Sequence, residues 1–361
     1  MTVNGIVAQV LPGRQPPAVY DAVIVGDEQQ DTAGAGAGKR ATLRDVARLA
    51  GVSHQTVSRA INDKGEIDPE TRRRVLDAAR QLHYRPSRFA RGLVRPGATT
   101  VGLIVSDVVN PFFPELIAGV LEAAEQRGWQ VLVASTQDDP GREPQLLRSL
   151  AGQVDALIGY LFQPDDVVAA AVEGVPLVVM SRRAREKAFG AVDIDLETGV
   201  RAAVRHLVAR GHQRIGMIDC PDAADPARKA IFLAEAEDQG VTVPPDAIIG
   251  VEQSMAGGES GFEKLHAARP ELTAMFAFND LIALGAYRAA RRAGLAIPDD
   301  VALLGFDGLN LGELLDPPLT TIAIDKRRMG ELAVAEVQRL LAGEPGGLAL
   351  VETELLIRGS A

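Results

Sequence analysis

Two kinds of fold are predicted in this one chain: an all-α N-terminal domain of three short helices, and an α/β two-lobed body with parallel sheets. Three observations predict them. Charge is divided sharply along the sequence, and helix start and stop signals crowd into residues 42–82. From Thr99 onward, short β-branched runs alternate with amphipathic helical stretches.

The 361 residues are 47% hydrophobic and 24% charged, the balance of globular domains, and the length suits two or three of them. The net charge of −10 hides an asymmetry. Residues 39–98 carry 14 Lys or Arg against 6 Asp or Glu, a net of +8, while residues 1–38 sum to −3 and residues 99–361 to −15. A basic module can neutralise phosphates, and an acidic body limits non-specific adhesion to nucleic acid. No run approaches the roughly 18 apolar residues of a membrane span, so no membrane partner is expected. The start of the chain lacks a basic segment followed by an apolar core, which argues against secretion. A single cysteine, Cys220, excludes an internal disulfide framework and fits the reducing cytoplasm. It is expected as a buried residue at a strand end.

Residues 1–38 end in an Ala-Gly repeat and read as a disordered N-terminal extension. The Gly38-Lys39-Arg40 run fails as a phosphate loop, because Ala33 stands where Gly is needed and Arg40 where Ser or Thr is needed. A helix-turn-helix domain is placed over 39–84, a hinge helix and linker over 85–98, and the body over 99–361. Thr42 with Asp45 makes a capping box for a helix from Leu43 to Ala50, which Gly51 ends. Ser53 caps a second helix to Ile61. Asp68-Pro69, a cap followed by proline at the first helical position, opens a third through Leu82. Val46, Leu49, Val52, Val57, Ile61, Val75, Ala79 and Leu82 recur at helical spacing and should form one small core.

In the body, the runs 101–105, 130–134, 176–180, 214–218, 274–278 and 301–305 read as buried strands joined by helices, hence as parallel sheets covered on both faces. About 260 residues exceed one sheet's needs, so two similar lobes are predicted. Ligands bind such sheets beyond the carboxyl ends of the strands, here in a cleft between the lobes.

A helix, a glycine turn and a second helix of polar character form the helix-turn-helix arrangement. Gln pairs with adenine and Arg with guanine, while Ser and Thr serve bases or phosphates. On pattern alone, a solvated helical hairpin is the alternative. The run T-L-R-D-V-A-R-L-A-G-V-S-H-Q-T-V-S-R-A-I-N at 42–62 closely resembles the lactose/galactose repressor family. The resemblance continues through T-R-R-R-V at 71–75, L-H-Y-R-P at 82–86, N-P-F-F at 110–113 and R-G-H-Q-R-I at 210–215. F-A-F-N-D at 276–280, G-F-D-G at 305–308 and D-P-P-L-T-T at 316–321 complete it.

What the resemblance implies is a sequence-specific transcriptional regulator, most often a repressor, controlled by a small polar metabolite such as a sugar or sugar derivative. The body would be periplasmic-binding-protein-like, without a cofactor or metal. The partners would be a palindromic double-stranded operator and a second copy of the chain. A dimer is expected, because the C-terminus lacks the leucine heptads of tetrameric relatives. His54, Gln55 and Arg59 fall on the family's base-reading positions, while Thr42, Ser53, Thr56, Ser58 and Asn62 would position the backbone.

The hinge residues Arg88, Ala90 and Leu93 are assigned to DNA. An isolated helix this short is marginal in water, and Gly92 weakens it further. In the resembled family, paired hinge helices fold on DNA, and the residue matching Leu93 wedges between base steps.

The resemblance places Asp107, Asn110, Phe112, Ser181, Arg182, Asn279 and Asp307, at or near strand ends, in the effector cleft, with Arg228 as a ligand-contacting arginine on a helix. Carboxylates, an amide and arginine suit bidentate bonding to hydroxyls. Asn279 and Asp280 could equally be a helix cap. Several residues depart from the family pattern: Leu196, the Asp219-Cys220 pair, Ile231, and the stretch Tyr160, Leu161, Phe162. These point to a more apolar or reshaped pocket. A transporter's solute-binding protein would suit the body but not the reading helix. A sugar-metabolising enzyme would need a nucleophile and base that no motif displays, and the histidines at 54, 83, 206, 212 and 266 show no metal-ligand spacing.

Overall fold

The computed structural model describes residues 43–61, 67–82, 99–172, 174–184, 189–221 and 227–361. They belong to two separate units. The first holds α1 (Leu43–Ala50), α2 (His54–Ile61) and α3 (Pro69–Gln81). Local signals set each boundary. Ser53 Oγ accepts the main-chain N–H of Thr56 at 3.1 Å, and Asp68 Oδ2 accepts that of Thr71 at 2.9 Å. Val46, Ala47, Val57, Ala60, Val75 and Ala78 are buried together in a core that all three helices share. Leu49, expected in that core, is 47% exposed. It sits one position beyond the inward stripe of a two-turn helix.

The second unit contains two six-stranded sheets. One joins β1 (Thr100–Val105), β2 (Gln130–Ser135), β3 (Ala156–Gly159), β4 (Leu177–Met180), β5 (Gly190–Ile194) and β11 (Leu348–Val351), in the order β11-β5-β4-β3-β1-β2, wholly parallel. The other joins β6 (Ile215–Asp219), β7 (Ile248–Gly250), β8 (Ala274–Ala277), β9 (Ala302–Asp307), β10 (Thr320–Ile324) and β12 (Thr353–Leu356). Its order is β12-β10-β9-β8-β6-β7, and β12 alone runs antiparallel.

Helices α4 (Phe112–Glu125), α5 (Glu143–Ala151), α6 (Asp165–Val172) and α11 (Lys326–Leu341) pack with the first sheet. Helices α7 (Leu196–Ala209), α8 (Ala227–Asp238), α9 (Met255–Ala268) and α10 (Asp280–Arg292) belong to the second. Strands β1, β3, β4, β8 and β9 are buried throughout, as expected for a sheet covered on both faces.

The chain passes between the sheets three times, at Asp195, Asp325 and Glu352. Both aspartates cap the helix they open, Asp195 accepting from Thr198 at 3.2 Å and Asp325 from Arg328 at 2.8 Å. Neither lobe is therefore one continuous stretch of sequence. Among the described residues, no helix is long and apolar enough to cross a membrane.

Helices α9 and α10 meet through glycines. A Cβ on Gly258 would overlap the Ile282 carbonyl oxygen, and one on Gly285 the Met255 carbonyl oxygen. Gly258→Ala should therefore destabilise the body by about 1–3 kcal/mol, since a backbone cannot yield as a side chain can. Gly152→Ala, where a new Cβ meets nothing within 4 Å, should leave stability unchanged. Thermal unfolding of the two variants side by side checks this.

Candidate nucleic-acid interface and ligand cleft

In the three-helix unit the turn between α1 and α2 is fixed by Gly51, whose φ of +67° suits a residue without Cβ, and by Val52 N–H donating to Ala47 at 3.0 Å. This locks Val57 and Ala60 of α2 inward. His54, Gln55 and Arg59 are left on the exposed side. Ser53 and Thr56 bond each other through their hydroxyls at 2.9 Å while capping α2. The predicted readers thus project from a helix whose opposite face is anchored in a core. Thr42, Asn62, Arg88, Ala90, Leu93 and the side chain of Ser58 lie outside the described residues.

In the body, carboxyl ends of strands from both sheets converge on one cleft. Asn110 and Phe112 follow β1, Ser181 follows β4, Asn279 follows β8, Asp307 ends β9, and Arg228 reaches in from α8. Asn110 Oδ1 accepts Phe112 N–H at 3.0 Å and so starts α4. Asn279 Oδ1 caps α10 by accepting Ile282 N–H at 3.0 Å. Its Nδ2, in a residue only 1% exposed, has no hydrogen-bond partner. Asn279 is both a cap and a donor on the cleft wall. Ser181 and Asp307 adopt φ of 59° and 115°, conformations rare for residues with a Cβ, and both sit in the lining.

The Arg228 guanidinium lies between the rings of Phe278 and Phe306, 4.0 and 3.7 Å from their centroids, and donates to the Phe278 carbonyl. Stacking covers its faces and leaves only its edges to donate. Burial pushes the Asp307 carboxyl up to about 8; nearby Arg228 and Lys326 oppose the rise, and Asp280 adds to it. Lys326, 3% exposed, donates to the Asp307 carbonyl at 2.7 Å.

Two residues expected in the cleft stand outside its lining. Asp107 is outside the lining: its carboxylate accepts Val109 N–H at 3.0 Å and closes the turn before α4. Arg182 points away from the cleft because Ser181, its neighbour at the strand end, faces it. Arg182 pairs instead with Asp165 and donates to the carbonyls of Leu161 and Gln163 at 3.2 and 3.3 Å. Asp280 lies beneath the wall, accepting Thr321 Oγ1 and Leu309 N–H, each at 2.6 Å.

The lining also contains residues that were not predicted to form it. Tyr160, Leu196 and Phe162 were visible only as departures from the family pattern. The positions of Phe113 and Phe278 in the wall follow from their neighbours Phe112 and Asn279, whereas Gln253, just before α9, carries no sequence signal. Cys220 is buried directly after β6. Among the described residues, no group of three or more His, Cys, Asp or Glu could hold a metal ion.

Residues 42–87 match the model of bacterial regulatory proteins of the lacI family, and residues 204–361 that of a periplasmic binding protein-like domain. The HTH-type transcriptional regulator DegA of Bacillus subtilis is 34% identical over 299 residues, 81% of this chain and 88% of that one. The lac repressor dimer bound to operator and an anti-inducer superposes with a TM-score of 0.69 at 29% identity, covering 89% of this chain and 99% of that one. A complex of the transcriptional regulator CelR with cellobiose gives 0.68 at 30%, covering 89% and 100%.

The carboxyl of Asp307 binds its proton more tightly in the folded body than in the unfolded chain, so deprotonation opposes folding. Its contribution to stability should fall as pH rises from its ordinary 3.8 towards about 8, then level off. Asp307→Asn, which cannot ionise, should flatten that part of the profile of Tm against pH. A variant profile parallel to the parent's would show that Asp307 does not titrate in this way.

Proposed function

Because the chain belongs to the lacI family of bacterial regulatory proteins, we propose that it is a sequence-specific transcriptional repressor whose hold on an operator is set by a small polar metabolite in the cleft. The observation that carries the reading is the disposition of α2. Its inner residues are fixed in a core, and His54, Gln55 and Arg59 are presented outward, with side chains that match base edges of the major groove. The lac repressor dimer on its operator supports a homodimer on a palindromic duplex as the acting form. In that assembly Arg88, Ala90 and Leu93 would form the hinge segment in the minor groove. The cellobiose complex of CelR makes a sugar or sugar derivative the first ligand class to consider. The chain is read as a regulator rather than an enzyme, acting in the cytoplasm where its DNA target lies.

Selecting preferred duplexes from a random pool supplies the operator for the test. Arg59→Ala should cost about 1–3 kcal/mol on that duplex, a ten- to hundredfold loss, with a much smaller loss on random DNA. Equal losses on both duplexes would remove Arg59 from base reading. Leu93→Ala should weaken operator binding and leave ligand affinity intact. Unchanged operator affinity would rule out the wedge.

A further inference from the structure

Building on the reading of the cleft as an effector site, we propose that Lys326 is a positioning residue that joins the two lobes where the chain makes its middle crossing, and fixes the angle at which they face each other across the cleft. Lys326 opens α11, and α11 is bound to the first lobe through its backbone. A Cβ on Gly330 would meet the main chain of Val120 and Leu116, and one on Gly119 would overlap the Arg327 carbonyl oxygen. Helices α11 and α4 thus touch main chain to main chain. The Lys326 side chain turns instead to the second lobe. Its Nζ donates to the Asp307 carbonyl at 2.7 Å, at the end of β9, and more distantly to those of Gly308 and Ile324, each at 3.4 Å. Glu115 of α4, on the first lobe, stands 3.7 Å from the same ammonium. One cation therefore touches both lobes beside the cleft.

Neither helix chemistry nor stability accounts for a lysine at this position. The first turn of a helix carries the positive end of its dipole and favours acidic residues, yet α11 begins Lys326-Arg327-Arg328. Arg327 and Arg328 are half-exposed and pair with Glu122 and Glu331, whereas Lys326 is buried. Taking an ammonium out of water is costly, and an apolar side chain of similar volume often serves stability as well. What the ammonium adds is direction, because its donors reach carbonyls that belong to the other sheet.

The other two crossings are tied to each other. Asp195 N–H donates to the Val351 carbonyl at 2.9 Å, and Thr353 Oγ1 donates to the Asp195 carbonyl at 2.8 Å. At the middle crossing the tie is the Lys326 side chain, and it ends on the cleft wall itself. Asp307, whose carbonyl it holds, lines the cleft with a φ of 115°. An effector touching Asp307 would act on the same short stretch of chain that this lysine ties to the first lobe.

The test uses the full chain with Cys220→Ala and two spin labels, on Ser149→Cys of α5 and Lys264→Cys of α9. Both positions are exposed, on opposite lobes and outside the cleft lining. Labelled chain is mixed with a large excess of unlabelled chain, so that pulsed electron paramagnetic resonance reads the distance within one chain. Lys326→Met keeps the bulk of the side chain and removes the cation. Its distance distribution should widen, or its mean should shift by about 2 Å or more. Arg327→Met removes the neighbouring cation, whose partner Glu122 is on the same lobe, and should leave the distribution as in the parent. A distribution unchanged in Lys326→Met, with or without a lower Tm, overturns the proposal, as does an equal change in both variants. If Lys326→Met does not fold, Lys326→Gln, which is shorter and uncharged, is measured by the same criteria. Failure of both to fold would make Lys326 a folding residue and would also overturn it. Affinity of the labelled parent for the selected operator separates this inference from the reading beneath it. If the parent binds while the distances ignore Lys326, only this inference is lost; if operator binding is absent, the regulator reading itself fails.

Discussion

The carboxylate of Asp280 sits wholly buried where the ends of three neighbouring strands meet, and the polar half of the cleft depends on it. One oxygen takes the hydroxyl of Thr321 on β10, and the other takes the N–H of Leu309 in the loop after β9. The carboxylate itself opens α10 after β8. Burial raises its carboxyl to about 6, opposed by these two hydrogen bonds and by the charge of Lys326. A Cβ at Gly305 would overlap its oxygen, so the strand beside it must be bare there. Losing one partner of such a group leaves a buried acceptor unsatisfied, at a cost of about 1–3 kcal/mol. Three separated stretches, F-N-D, G-F-D-G and L-T-T, are therefore parts of one hydrogen-bonded assembly. Asn279 and Asp307 stand in the cleft wall because that assembly holds the residues beside them.

The two lobes contribute unlike chemistry. The first brings mostly rings, those of Phe112, Phe113, Tyr160 and Phe162; the second brings amides, a stacked guanidinium and a buried carboxyl. A ligand touching both walls can shift an equilibrium between lobe arrangements only through contacts that differ between them. Division of the lining across the cleft supplies that difference, because a ligand spanning it touches groups of both lobes at once. The strained backbone at Ser181 and Asp307, one on each lobe, fits the same division: the two residues aim side chains inward at the cost of rare φ values.

Much of this was legible in the sequence, for local reasons. Ser53, Gly51 and Asp68-Pro69 mark helix ends through capping chemistry that acts within a few residues, and the helices begin and end there. Long β-branched runs gave the central strands. The edge strands β11 and β12 carry exposed leucines and alternating glutamates, so no buried run announces them. Arg182 reaches the strand end beside the cleft yet stays out of its lining, for a reason the sequence did not carry. A strand end tells which residues arrive near a cleft, but side-chain direction is decided by partners distant in sequence, such as Asp165 for Arg182. The aromatic wall was hidden for the same reason, since Phe112 and Tyr160 meet only through the pairing of β1 with β3.

The three crossings between the sheets bear on how the protein is made. Helices α1 to α3 are complete once residue 82 has been synthesised, and their core needs nothing from later in the chain. The first lobe must wait, because its edge strand β11 arrives only at Leu348–Val351, and the second lobe is closed by β12 a single residue later. During translation, at about 5–20 residues per second, the head can fold well over ten seconds before either lobe of its controlling body is finished. A ribosome stalled late would hold a completed reading head joined to an unfinished sensor.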